Sequence, residues 1–148
     1  MDSPTSEPQR EVPLVVQQER LKFQEFVLQR TPSGRVSCKV SLAYGEDVHA
    51  GSATGTSSPA GDTRLGAEAA LHAIESFLNG ALKFELIGVK AVRAFDSNVV
   101  IVSVRQHGGS GPDKMLGCYL ADDDQVRGAA FAVLNATNRT VTAHILNR

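Results

Sequence analysis

The chain has 148 residues, 42% of them hydrophobic, and a formal net charge of −1 from 15 basic and 16 acidic side chains. That length suits one core, and the near-neutral balance supplies no global field to draw in nucleic acid. With 2 cysteines, no tryptophan and 5% aromatic residues, a disulfide framework and a four-thiolate metal site are excluded, and core volume has to come from closely packed Val, Leu, Ile and Ala.

Residues 1–19 begin MDSPTSEPQREVP, rich in Pro, Ser, Glu and Gln. Too little apolar surface is present there to offset the entropy of ordering, so a disordered or loosely ordered tail is expected. The stretch lacks the basic-then-apolar order of a signal peptide, and no apolar run in the chain approaches the ~20 residues that span a bilayer. A cytoplasmic protein without membrane contact is the expectation.

From residue 21 the string LKFQEFVLQR, followed by Thr31-Pro32-Ser33-Gly34, predicts a strand entering a hairpin turn. Val36, Cys38, Val40, Leu42 and Tyr44 then alternate with Ser37, Lys39 and Ser41, the pattern of a strand with one face on a core. Gly45-Glu46-Asp47 turns the chain, and residues 48–55 can return as a third strand. Residues 51–61, GSATGTSSPAG, read as a long loop or a strand fraying into one. Asp62 is a good N-cap, the stripe Ala67, Ala70, Leu71, Ile74, Phe77 and Leu78 predicts a helix, and Gly80 stops it.

The second half repeats this order. Phe84 and Leu86 open an extended run, Asp96-Ser97-Asn98 supplies turn chemistry, and residues 99–104 are β-branched at all positions but Ser103, as befits a central strand covered on both faces. Cys118, like Cys38, falls in a predicted strand, where thiols act as small buried hydrophobes. Asp122-Asp123-Asp124 opens a helix whose Val126, Ala129, Ala130, Val133, Leu134 and Thr137 share one side. Aligning Leu21-Lys22-Phe23 with Leu82-Lys83-Phe84 gives a period of about 61 residues, unlike the common solenoid repeats. The expected fold is α+β: a two-layer sandwich of two βββα units related by a pseudo-twofold, helices packed on antiparallel sheet, spanning residues 20–140 with a short tail at 141–148.

Reactive constellations are not evident in the pattern. His49, His72, His107 and His144 lack the spacing of a metal-ligand set, and a helix start accounts for the acidic triplet. The segment 51–61 has neither Walker nor G-x-G-x-x-G spacing. A non-enzyme with no metal and no cofactor is therefore expected. Two small-residue helix surfaces stand out, Gly66, Ala67, Ala69 and Ala70 on the first helix and Gly128, Ala129, Ala130, Ala132 and Ala136 on the second. They permit either close helix-on-sheet packing within the chain or a dimer seam or effector pocket.

Several strings resemble the C-terminal regulatory, or dimerisation, domain of the 2-isopropylmalate synthase family, which includes citramalate and homocitrate synthases. The resemblance lies in FELIGVKAVRAF and in the helix DQVRGAAFAVLNATNR, where Asp124, Ala132, Ala136 and Asn138 fall on the family pattern and Gln125 and Gly128 depart from it. Gly51, Gly55 and Asp62 resemble the family's glycine-rich strand and helix start, with Ala53, Pro59 and extra residues at 56–58 breaking the motif. The resemblance implies two βββα units, a homodimer, and an end-product amino acid bound near Gly51, Gly55, Asp62, Ala67, Asp124 and Ala129, with a synthase or other protein as a further partner. The family's catalytic metal sits on a separate barrel domain for which this chain has no counterpart. A structural or partner-docking protein that keeps the fold without a ligand is the alternative; RNA binding through Lys39, Lys90, Arg93 and Arg105 is the lesser one, weakened by the scarcity of aromatic residues on the strands.

Overall fold

Three antiparallel strands and a helix occur twice in the computed structural model, which describes residues 20–108 and 113–147. The first unit comprises β1 (Lys22–Arg30), β2 (Arg35–Tyr44), β3 (Asp47–Thr56) and α1 (Pro59–Leu78); the second comprises β4 (Lys83–Ala94), β5 (Ser97–His107), β6 (Lys114–Leu120) and α2 (Gln125–Leu146). Each unit forms its own sheet, in the orders β1-β2-β3 and β4-β5-β6. The result is the two-layer α+β sandwich of βββα units expected from the order of elements. The predicted tail at 1–19 lies outside the described residues.

Alternation dictates the first sheet. Val36, Cys38, Val40 and Leu42 of β2 are fully buried, while Lys39 between them is exposed. The central strand of the second sheet behaves differently from its sequence. Val100, Val102 and Val104 are fully buried under α2, but Ile101 is exposed and Val99 and Ser103 only half-buried. One face of β5 is thus covered within the chain, not two.

Several boundaries shift for local reasons. The β4–β5 hairpin turns at Phe95-Asp96, both at positive φ (53° and 60°), so Ser97 and Asn98 already belong to β5. Left-handed conformation at both central residues matches the twist of the flanking strands, and that requirement places the turn. Residues 51–56, expected as a third strand to residue 55 or as a loop into which it frays, continue β3, with Gly51 and Ala53 beneath α1. The helix then starts at Pro59, earlier than predicted: Ser58, not Asp62, is the N-cap, its Oγ accepting from Gly61 N at 3.0 Å, and Pro59 suits the first helical turn. Asn79 adopts the left-handed conformation (φ 54°) and Gly80 follows at 81°, closing the helix at the expected place. Asp124 caps α2 through Arg127 N at 3.0 Å, also as expected. The predicted C-terminal tail at 141–148 is instead largely the end of α2, since Val141 is buried and Ile145 packs on the core.

Glycine brings each helix onto its own sheet. A Cβ at Gly51 would overlap the backbone of His72 and Ala73 in α1, and one at Gly117 would overlap the backbone of Ala132 and Ala136 in α2. Each contact is pinned alongside by one hydrogen bond, His72 Nδ1 to Ser52 O at 2.7 Å and Asn135 Nδ2 donating to Cys118 O at 2.8 Å. Both first strands carry a bulge, one between Phe23 and Glu25 and the other between Leu86 and Gly88. From residue 24 to residue 87 is 63 residues, as it is from His72 to Asn135. The repeat is therefore two residues longer than the LKF alignment implied. In β1 and β4 a slip of two keeps each residue on its face, whereas Val40 answers Val102, 62 residues on, so in the central strands the shorter alignment sets buried Val40 against exposed Ile101.

The units pack reciprocally. The far side of α1 reaches β4, with Arg64 Nη2 donating to Leu86 O at 3.1 Å and Glu75 accepting from Phe84 N at 2.9 Å. The far side of α2 reaches β1, with the Arg127 guanidinium over the rings of Phe23 (5.3 Å) and Phe131 (4.6 Å). Between them the helices meet where Gly66 lies against the Val126 backbone.

Candidate functional site

The six residues singled out by sequence are all structural within the chain. Gly51 is closed off by α1, and Gly55 packs toward the Leu65 side chain at a distance that a Cβ would bring to 3.4 Å. Ala67 and Ala129 are fully buried. Asp124 is the α2 cap. Asp62, also buried, accepts from Arg30 Nη1 at 3.0 Å, Ser57 Oγ at 3.3 Å and Ser58 N at 3.2 Å, so its carboxylate ties the end of β1 to the start of α1. The small-residue surfaces around Gly66 and Gly128 are likewise buried, in helix-to-helix and helix-to-sheet contact. Of the two openings proposed for those surfaces, close internal packing is the one realised.

Cavities lie instead at the two reciprocal junctions between units. Beside α1 and β4 an open groove of about 410 Å³ is lined by Arg64, Glu68, His72, Glu75, Phe84 and Leu86. Its polar groups are engaged: Arg64 Nε pairs with Glu68 at 3.3 Å and Glu75 holds the Phe84 amide. Beside α2 and β1 lies a groove of about 420 Å³. Leu21, Phe23, Leu42, Ile74, Leu134 and Ile145 form its apolar walls, and Arg20, Asn138 and Thr142 stand among the polar residues at its edge. Applying the repeat, Phe131 replaces Glu68 and Asn138 replaces Glu75. The same architectural niche is therefore charged and occupied by internal pairs in one copy, and apolar in the other, with polar edges that are unpaired among the described residues. Most of the wall residues that sequence reasoning missed lie on α2 at or beyond Leu134 or on the first residues of β1. The apolar spacing of Leu134, Val141 and Ile145, continued past the predicted helix end, is the signal that would have found them.

Apolar walls with a few convergent polar groups suit a small ligand with a branched hydrocarbon body and a charged head. Among the described residues no group of three His, Cys, Asp or Glu side chains converges to hold a metal. His107 instead pairs with Glu85 at 3.1 Å, and His49 packs edge-on to Phe77 with ring centroids 5.3 Å apart. Among the described residues no helix is long and apolar enough to cross a membrane. The four cations considered for RNA do not share one sheet, since Lys39 lies on the first and Lys90, Arg93 and Arg105 on the second.

The cysteines divide. Cys38 is fully buried, and desolvation, reinforced by Asp62, pushes its thiol up to about 11. Cys118 is exposed, contrary to the expectation of a buried thiol, because it points outward from β6, an edge strand whose inward residues are Gly117 and Met115. No family model matches the chain, and no curated protein matches it.

Proposed function

We propose that the chain is a non-catalytic regulatory module whose effector, a branched-chain amino acid or a closely related metabolite, occupies the groove between β1 and α2. The observation that carries this reading is the divergence of the two junction grooves: the one beside α1 is closed chemically by its own ion pair, whereas beside α2 Asn138 takes the place of Glu75 in the groove and Phe131, packed on Phe23, takes that of Glu68. A branched side chain of three or four carbons fits against Leu134, Ile74 and Ile145. Its carboxylate can face Arg20, and Asn138 and Thr142 can receive its ammonium group. In this reading the domain is an allosteric one serving leucine biosynthesis or a neighbouring cytoplasmic pathway, like the synthase regulatory domain it resembles, with the ligand at a unit junction and not at the glycines.

Isothermal titration of the full chain with leucine, isoleucine, valine and their 2-oxo acids tests it. Saturation at ten times Kd should raise stability by about 1.4 kcal/mol, seen as a rise of about 4 °C in Tm. Ile145→Trp, which fills the groove, should abolish the heat while the protein stays folded. Absence of heat and of any Tm shift across the set at millimolar concentration removes the effector reading. An assembly role is favoured by a separate observation, the exposure of Leu116 and Leu120 on the second sheet.

A further inference from the structure

The two sheets occupy equivalent places in the repeat, yet their outward faces differ in chemistry. Gly51 opposite Val40 corresponds to Gly117 opposite Val102, which sets the equivalences. Where the first sheet presents Lys39, Ser52, Ser37 and Thr54, the second presents Ile101, Cys118, Val99 and Leu120. Leu116 is 73% exposed and Leu120 59%. Half of a β-branched central strand is left uncovered in this way, although nothing in the shared architecture requires it. An apolar sheet face of this kind marks a contact surface.

The outward face also has an order along the strands. Its middle three rows are Val92, Val99 and Leu120, then Lys90, Ile101 and Cys118, then Gly88, Ser103 and Leu116. Beyond the third row lie Arg105 and Lys114, paired across β5 and β6. Beyond the first row, at the opposite end of the sheet, lie Asp96 in the hairpin and Asp122, whose Oδ1 accepts from Asn98 N at 2.6 Å. A half-turn about the Ile101–Cys118 row sets Leu116 opposite Leu120, Ile101 opposite its own copy, and Arg105 and Lys114 opposite Asp96 and Asp122, with Lys90 and Glu85 left on the edge strand β4. Such self-complementarity is what an isologous interface requires.

We propose that the outward face of the second sheet is a homodimer seam, with two copies packed face to face about a twofold axis through the Ile101–Cys118 row. The apolar rows close on each other, and Arg105 and Lys114 of each copy meet Asp96 and Asp122 of its mate. The seam is separate from the junction groove, so the proposal stands whether or not an effector binds there.

Light scattering behind size exclusion, on the full chain over a concentration series, reads the mass, and a short bismaleimide reads the distance between Cys118 thiols. The expected result is a dimer that cross-links through Cys118, loses the cross-link in Cys118→Ser, and falls to monomer in the double variant Leu116→Lys, Leu120→Lys. An unchanged far-ultraviolet CD spectrum in that variant shows that the fold is intact. A wild-type monomer at all concentrations overturns the proposal and leaves the face to a different protein. A dimer that survives both lysines and does not cross-link overturns it as well, by placing the interface elsewhere.

Discussion

Single atoms decide how closely this chain packs. At Gly51 and Gly117 the strand backbone touches the helix backbone, so one added methyl has no flexible side chain to displace and must push two elements apart. Gly51→Ala or Gly117→Ala should each cost about 3 kcal/mol, measured as a lower urea midpoint, whereas Gly88→Ala, with open space around it, should be nearly neutral. Cys38 makes a pH-dependent contribution whose sign is fixed by its burial. Its folded thiol keeps the proton to about 11 against an ordinary 9.0, so the folded state binds more protons in that interval. Stability is then fully present below pH 9 and declines as pH rises toward 11, by roughly 2 kcal/mol for this group. Denaturant titrations at pH 8 and 10.5 should show a smaller drop for Cys38→Ala than for the parent. Gly51 was visible in the sequence as a small residue ahead of a helix, whereas Gly117, inside β6, carried no such signal. The purpose of Gly51 was not visible, because close approach to a partner backbone and close approach to a ligand select the same absent side chain.

At the level of elements, hairpins and caps define the boundaries that periodicity leaves loose. Phe95 at positive φ and fully exposed stands where an Asn would suit the turn better, and Asp96 where Gly would. Replacing the pair by Asn-Gly should stabilise the protein by about 1 kcal/mol in thermal melts. The start of α1 rests on two side chains, the Ser58 cap and the buried Asp62 carboxylate that joins it to Arg30. Ser58→Ala should cost about 1 kcal/mol and Asp62→Ala about 2, the larger loss following from three hydrogen bonds given up at once. The alternation in β2 and the helical stripes predicted their elements correctly, since a buried face imposes its period directly on the sequence. The extension of β3 through residue 56 was hidden by its Gly, Ala, Ser and Thr content, which resembles loop chemistry when the covering helix is unknown. The end of α2 was hidden by Asn138-Arg139-Thr140, a polar interruption in which Asn138 edges the groove and Thr140 Oγ1 donates to Met115 Sδ before Val141 returns to the core.

For the whole molecule, duplication explains more than either unit alone. Each helix is covered on one side by its own sheet and on another by the opposite unit, so a fragment of residues 20–80 would expose Ala67, Ala70 and Ile74. Such a fragment should lack cooperative unfolding by CD, while an equimolar mixture with residues 82–147 should regain it. The shared order of elements was legible in both halves, although the exact offset emerged only from the matching bulges. The groove beside α2 was not legible, because it joins Leu21 and Phe23 to Leu134 and Ile145 across more than half the chain, and the one beside α1 needed the packing of α1 on β4 to be known. The unequal polarity of the two sheets has one last effect. A duplicated protein greasy on both equivalent surfaces would offer a sticky patch at each end and could stack indefinitely into fibres. Hydrophilic Lys39, Ser37 and Thr54 on one of them leave a single adhesive side, so association through the proposed seam would end at a pair.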